Sequence, residues 1–273
     1  VTTWFAGMAG LRAAREPGVL VTITDVRGHA PREAGAKMVV SASSRWASIG
    51  GGNLEAEAVT RARALLSAGG VVPESYTVSL SDRAPAPHGV QCCGGEVTVL
   101  LEPLPVVPAV AIFGIGHVGL ELARILARHD LDLHLVDSRE ESLSEAALAP
   151  LRDAVAAVHV HHIPVIPELV LAELPAGARV LVLTHDHAED FAIVEAALRC
   201  DHLGAIGLIG SSAKWARFRS RLLESLPAEV VDRVETPIGL AGLSTSKDPA
   251  AIAVSAAAAL LAAIEREGAH AGG

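Results

Sequence analysis

Ala109-Val110-Ala111-Ile112-Phe113-Gly114-Ile115-Gly116-His117-Val118-Gly119 decides the fold of this chain. The apolar run from Ala109 to Phe113 suits a strand buried on both faces. The glycines after it keep G-x-G-x-x-G spacing and lead straight into helix-forming composition over 117–128. In that setting the first glycine permits a tight turn, the second lets a ligand phosphate approach the backbone, and the third lets helix and strand pack closely. A second strand at 132–136 delivers Asp137 to the place where a carboxylate holds a ribose hydroxyl. Tight packing alone, in a fold that has lost its ligand, produces the same glycines, so they speak for the fold more strongly than for the ligand.

Working outward, the downstream chain alternates. Strands are expected at 179–183 and 205–209, with helices near 167–174, 188–200 and 212–225, which together predict a doubly wound parallel sheet. Asp248-Pro249 supplies an N-cap and an N1 proline for a last helix to about residue 266. Its apolar part, 250–264, falls short of the ~20 residues of a membrane span. Upstream, Pro103-Leu104-Pro105-Val106-Val107-Pro108 reads as a stiff extended spacer. Ahead of it come a helix at 4–15, strands at 19–24, 37–41 and 46–49, a helix at 53–68, and strands at 75–80 and 96–101. The expected organisation is an N-terminal α+β domain over 1–102, a linker at 103–108 and a Rossmann-like domain over 109–273.

Composition narrows the function. Across 273 residues, 31 acidic side chains outweigh 22 basic ones for a net charge of −9, and aromatic residues make up only 3%. That balance argues against a surface for nucleic acid, which needs cations and stacking platforms. Three cysteines, two of them adjacent, make no disulfide framework and point to a reducing, cytoplasmic setting. The N-terminal Val1-Thr2-Thr3-Trp4-Phe5-Ala6-Gly7 has no basic segment ahead of an apolar run, so neither a secretory signal nor a membrane partner is expected.

Several loops carry chemistry. Gln91-Cys92-Cys93-Gly94-Gly95 sets two thiols beside glycines, an arrangement that suits soft-metal binding, sulfur transfer or attack on an electrophile, and equally two small buried hydrophobes. Cys200, late in a helical pattern, reads as core. Gly28-His29-Ala30-Pro31-Arg32-Glu33-Ala34-Gly35-Ala36-Lys37 offers the Arg32 fork and the Lys37 point charge to an anion, or forms a solvated hairpin loop. Gly50-Gly51-Gly52-Asn53-Leu54-Glu55 presents backbone N–H groups at a helix start, where Glu55 also suits a first-turn carboxylate. Thr184-His185-Asp186-His187 stands at the carboxyl end of a strand and favours an N-cap or ligand contact over a metal site, since no further ligands are evident. His159, His161 and His162 fit an edge strand with exposed imidazoles.

Taken in order, these motifs, with Ile206-Gly207-Leu208-Ile209-Gly210-Ser211, Lys214, Arg217-Phe218, Arg221-Leu222, Pro237-Ile238-Gly239-Leu240 and Ile252-Ala253-Val254-Ser255, resemble the XdhC/CoxI family over nearly the whole chain. The resemblance implies an accessory protein, not a turnover enzyme. It would bind the molybdenum cofactor (molybdopterin), support its sulfuration by a cysteine desulfurase and deliver it to xanthine dehydrogenase. It places Cys93 first and Cys92 second at the cofactor, with Cys93 the metal contact. Gln91, Gly94 and Gly95 belong to the same element. Around it the cofactor-binding set comprises Arg32, Lys37, Gly50, Gly51 and Gly52, then Gly114, Gly116, His117, Gly119, Asp137, His185, Asp186 and His187. NAD(P) or another nucleotide in the Rossmann-like domain stays open, as does a homodimer. The stretch Gly28-His29-Ala30-Pro31-Arg32 departs from the family, which more often has small or hydroxyl residues between the glycine and the proline. Two other classes compete: an NAD(P)-dependent oxidoreductase, for which no proton donor stands in a characteristic motif, and a nucleotide-binding regulatory module. Neither explains the cysteine pair.

Overall fold

Thr3 starts the first helix: its hydroxyl accepts the Ala6 N–H at 3.2 Å, and α1 (Trp4–Ala14) runs until Arg15 turns left-handed at φ 53°. The computed structural model describes residues 3–80, 94–163, 166–240 and 247–270. It divides the chain into two compact units, Val1–Val106 with Glu265–Gly273, and Val107–Ile264. The last helix, Pro249–His270, has residues in both units.

In the N-terminal unit, β1 (Gly18–Arg27), β2 (Lys37–Val40), β3 (Arg45–Ala47), β4 (Glu74–Ser79) and β5 (Glu96–Leu104) form an antiparallel sheet in the order β3-β2-β1-β5-β4. Val19, Val21 and Ile23 of β1 and Val97, Val99 and Leu101 of β5 alternate inward. Helix α2 (Gly52–Ser67) contributes Leu54, Ala58, Ala62 and Leu65, one stripe at helical spacing, to the same core. Pro103 and Leu104, expected in the spacer, lie in β5 opposite Val19 and Gly18. Pairing with β4 ends at Leu101, so Pro103 sits where its missing N–H has no strand to serve on that side.

The C-terminal unit is the doubly wound parallel sheet. Its strands are β6 (Ala109–Phe113), β7 (Asp132–Asp137), β8 (Ala157–His162), β9 (Arg179–Val182), β10 (Ile206–Leu208) and β11 (Val234–Glu235), in the order β11-β10-β9-β6-β7-β8. The chain winds one way from β6 to β8 and the other way from β9 to β11, so the topological switch lies between β6 and β9. Helices α3 (His117–Leu126), α4 (Pro167–Glu173), α5 (His187–Leu198), α6 (Ser212–Leu222), α7 (Ala228–Val231) and α8 (Pro249–His270) complete it. Ala111 and Phe113 face one core with Val180, Val182 and Phe191, while Val110 and Ile112 face another with Leu122, Leu133 and Leu135.

Helix α8 is longer than its sequence reading. By length and composition alone, its segment Pro249–Gly268 would reach across a membrane. Its Ala253, Ala256, Ala257 and Leu260 are buried in the second core, which is the packing its small residues suit. Asp248 accepts the Ala251 N–H at 3.3 Å, as an N-cap does.

Candidate functional site

The glycine turn after β6 sorts its three glycines by what surrounds them. Gly114 has φ +101°, and a Cβ there would lie 2.5 Å from the Leu183 carbonyl oxygen. One on Gly119 would lie 2.0 Å from the Gly114 oxygen. Both positions are therefore fixed by packing. A Cβ on Gly116 would meet nothing nearer than Arg139 Nη2 at 4.0 Å, so the second glycine keeps open space in front of the backbone. His117 is the first residue of α3 behind it.

Asp137 accepts four hydrogen bonds within the protein. Its Oδ2 accepts from Ile115 N at 2.7 Å and Arg139 Nη2 at 2.8 Å, and its Oδ1 accepts from the Arg139 N–H and Nε, both at 2.9 Å. Burial pushes this carboxyl up, but the Arg139 side-chain and backbone hydrogen bonds together with that from Ile115 outweigh it and hold the pKa below its ordinary value. Asp137 thus clamps the glycine turn to β7. Arg139 was not legible as its partner, since only the return of the side chain onto the strand end brings the two together.

A cavity of about 470 Å³ opens at the carboxyl ends of β6, β7 and β9, lined among others by Gly114, Asp137, Ser138, Thr184 and Asp186. Asp186 caps α5, accepting from Ala188 N at 2.6 Å and Glu189 N at 2.9 Å, and these bonds lower its pKa. His185 Nδ1 lies 4.0 Å from Glu189 and His187 opens α5. Among the described residues no group of three or more His, Cys, Asp or Glu is arranged to hold a metal. Behind Thr184, fully buried Asp190 accepts from its N–H at 3.0 Å and its hydroxyl at 2.8 Å, and pairs with Lys214, which also donates to the Ile209 carbonyl at 2.9 Å. This buried pair ties the ends of β9 and β10 together under the cavity.

On the flank of the sheet, His134 stacks on His159 and on His161, with ring centroids 4.6 and 5.2 Å apart. His159 and His162 are exposed on edge strand β8 as expected, whereas His161 is half-buried and joins His134 at 3.0 Å. Burial first, and His159 second, lower the His161 pKa. Cys200 packs against the core, its thiol pushed up by burial and directed at the Ala196 carbonyl.

In the N-terminal unit the 28–37 stretch is approached by the Gly95 backbone at His29 and by Gly50 at the Pro31 ring. A Cβ on Gly95 would lie 2.2 Å from the His29 oxygen, and one on Gly50 would lie 2.7 Å from Pro31 Cγ. The Leu80 N–H donates to the Gly95 carbonyl at 2.7 Å and the Gly94 N–H to the Leu80 carbonyl at 3.1 Å. Gln91, Cys92 and Cys93 lie outside the described residues. Gly94, bonded directly to Cys93, stands beside the Gly28 turn, and the Gly50 turn packs against Pro31 of the stretch that follows Gly28.

The glycine run directs part of its donors inward. Gly50, Gly51 and Gly52 have φ of +126°, +76° and +60°. The N–H groups of Ile49 and Gly51 donate to Glu55 Oε2 at 3.3 and 3.1 Å, and that of Gly50 to the Ser48 hydroxyl at 3.1 Å. Glu55, buried one turn into α2, reaches back and acts as an internal anion, with Arg45 on its other oxygen at 2.8 Å. Arg32 and Lys37 place two cations in the same unit. They line a groove of about 840 Å³. Lys37 donates to the Thr22 hydroxyl at 2.9 Å. Arg32 makes no hydrogen bond or ion pair among the described residues.

Comparison with known proteins adds the following. Residues 110–260 match the model of the XdhC Rossmann domain, and residues 11–77 match that of the XdhC and CoxI family. The uncharacterized protein YqeB of Escherichia coli (strain K12) is 25% identical over 270 residues, or 94% of this chain and 45% of that one. The chain thus spans less than half the length of this relative. Among solved structures, one described as a xanthine dehydrogenase from Bacillus halodurans superposes with a TM-score of 0.48 at 19% identity, covering 97% of this chain and 96% of that one. A short-chain dehydrogenase from Oenococcus oeni PSU-1 gives a TM-score of 0.32 at 15% identity over 47% of this chain and 77% of its own.

Proposed function

The chain belongs to the XdhC and CoxI family, and from that membership we propose that it is a cytoplasmic accessory protein in the maturation of xanthine dehydrogenase, binding molybdenum cofactor, supporting its sulfuration by a cysteine desulfurase and delivering it to the dehydrogenase. The observation that carries the reading is that Gly94 and Gly95, which follow Cys93 in the chain, pack against the stretch that bears Arg32 in the N-terminal unit. The donor set fits the cofactor. A thiolate suits a soft metal centre with dithiolene and sulfido ligands, while the guanidinium fork of Arg32 and the ammonium of Lys37 suit a pterin phosphate. In this reading Cys93 and Cys92 hold the metal end, and Arg32 and Lys37 hold the phosphate. The bound group supplies the redox-active molybdenum and its transferable sulfur. The chain's own work is to bind, shield and release, for which no general acid and base are needed.

The C-terminal unit carries a second binding role in this account, for a phosphate-bearing nucleotide. The open face of Gly116 above the start of α3 favours it. With Asp137 engaged by Arg139 and Ile115, such a ligand is held by its phosphate and not by a ribose hydroxyl.

The test is co-purification. The protein expressed with an intact cofactor pathway should carry molybdenum and an oxidisable pterin, and should raise the activity of the apo-dehydrogenase only when cofactor and a sulfur source are both present. Steady hydride transfer from a nicotinamide cofactor to a small carbonyl by this chain alone would replace the reading with an oxidoreductase.

A further inference from the structure

Three imidazoles crowd one face of the parallel sheet at its edge. His134 of β7 stacks on His159 and His161 of β8, with ring planes tilted by only 19° and 18°. The register accounts for the meeting: His159 lies opposite His134 and His161 one pleat further on, so all three project from the same face. His134 is buried, and its Nδ1 lies 3.0 Å from His161 Nε2. One of these nitrogens must donate and the other accept, so the line between them holds one proton. A second proton on that line would set two N–H groups and two positive charges face to face. Burial and then His159 keep the His161 pKa below its ordinary 6.5, against the pull of Glu173 from α4. A second carboxylate, Asp132 of β7, stands 3.9 Å from exposed His159. The short helical turn 140–143, which also borders β8, carries Glu140 and Glu141 but packs its Leu143 into the core on the opposite face.

We propose that His134, His159 and His161 form a proton-operated latch, which holds the edge strand β8 against β7 while no more than one of the paired rings is charged and releases it when both are. As the outermost strand, β8 has the β7 ladder as its only strand partner among the described residues, so its hold is local and separable from that of the central strands. The strand leads straight into the cavity at the carboxyl ends. The Ile163 N–H donates to the Asp137 carbonyl and His162 Nε2 to the Ser138 carbonyl, both at 3.2 Å, and Ile163, Asp137 and Ser138 line that cavity. Letting go of β8 therefore loosens one cavity wall, whatever ligand the cavity takes, and the latch is independent of the cofactor role. The sign follows from linkage. Below 6.5 a released imidazole takes up a proton that the stacked one refuses, so the hold on β8 is complete above that value and weakens as pH falls beneath it. Because the two rings share one proton, the loss belongs to the pair and not to either ring alone.

The experiment is hydrogen exchange on the full chain, read by mass spectrometry at about pH 8 and about pH 5, on either side of the histidine range, with rates corrected for the intrinsic pH dependence of exchange. Peptides over β8 should lose protection by about tenfold or more on acidification, which is what the exclusion of one proton over one pH unit amounts to. Those over the central strand β6 should keep theirs. His161→Phe, which leaves a flat ring in the stack and takes away the proton site, should cut the loss to about threefold or less. His129→Gln, at an exposed histidine outside the stack, should leave the loss whole. Where His161→Phe does not fold, the wild type decides by NMR titration of its imidazole C–H signals: the His134–His161 pair should take up its last proton well below 6.5. Ordinary titration of all three rings near 6.5, β8 protection that does not change with pH, a loss of equal size in β6, or an undiminished loss in His161→Phe overturns the latch.

Discussion

Asp190 and Lys214 carry opposite charges where solvent does not reach, with relative exposures of 0% and 6%. Neither is tolerable alone, because a buried charge without its partner keeps the desolvation cost and loses the attraction. Lys214→Met should therefore cost about 3–5 kcal/mol in urea unfolding. Adding Asp190→Asn should recover much of that, since the amide oxygen still accepts from Thr184 while the stranded charge is gone. A loss under about 1 kcal/mol for the single variant would mean that the pair is wetter than its geometry indicates. Asp137 has an acid signature with a definite sign. Its folded pKa lies below the ordinary 3.8, so its contribution to stability is complete above that value and is lost as pH falls through the depressed one. Arg139→Ala removes the partner that outweighs burial, which raises the folded pKa and moves the acid-unfolding midpoint to higher pH, followed by circular dichroism. An unmoved midpoint would show that the clamp adds nothing.

The strand β6, its glycine turn and α3 give the element-scale contrast. Gly119→Ala drives a methyl against the Gly114 oxygen, 2.0 Å away, and should destabilise by about 1–3 kcal/mol or more. Gly116→Val meets only the tip of Arg139, so stability should stay within about 1 kcal/mol while any phosphate-bearing ligand of the turn is excluded. Thermal unfolding of both variants, with calorimetric titration of NAD, NADP and nucleotides into wild type and Gly116→Val, reads the two effects separately. Nucleotide binding unchanged by Gly116→Val would remove the turn from the site. This element was legible in the sequence because strand, glycines and helix are contiguous and each rule acts over a few residues. Pro103 in β5 was not, since a proline run reads as a spacer until the shorter partner β4 leaves room for it. The Gly50 run is legible as a donor-rich turn at a helix start, whereas the partners of those donors are not. The Ile49 and Gly51 N–H groups reach Glu55, and that of Gly50 the Ser48 hydroxyl, because α2 begins there. Trp4 and Trp46 stand on elements far apart in sequence, and only the folded N-terminal unit sets them on one groove.

At the scale of the whole molecule, a chain of net charge −9 has no broad basic field with which to attract an anionic cofactor, so on the proposed reading capture depends on local cations such as Arg32 and Lys37. On the proposed reading, hand-over to a client dehydrogenase likewise calls for a specific docking patch, and activation should change little with moderate salt. Both statements depend on the chain carrying cofactor at all, and on the thiol loop being where it is carried. The decisive measurement is molybdenum content by elemental analysis, with fluorescence of the oxidised pterin, on wild type, Cys93→Ala and Cys200→Ala purified from one host with an intact cofactor pathway. Cys200 sits half-buried against a core with its thiol pKa raised, which makes it the internal control. Wild type and Cys200→Ala should both carry molybdenum and pterin, and Cys93→Ala should lose most of both. Equal retention by the two cysteine variants, or no cofactor on wild type, would contradict the account.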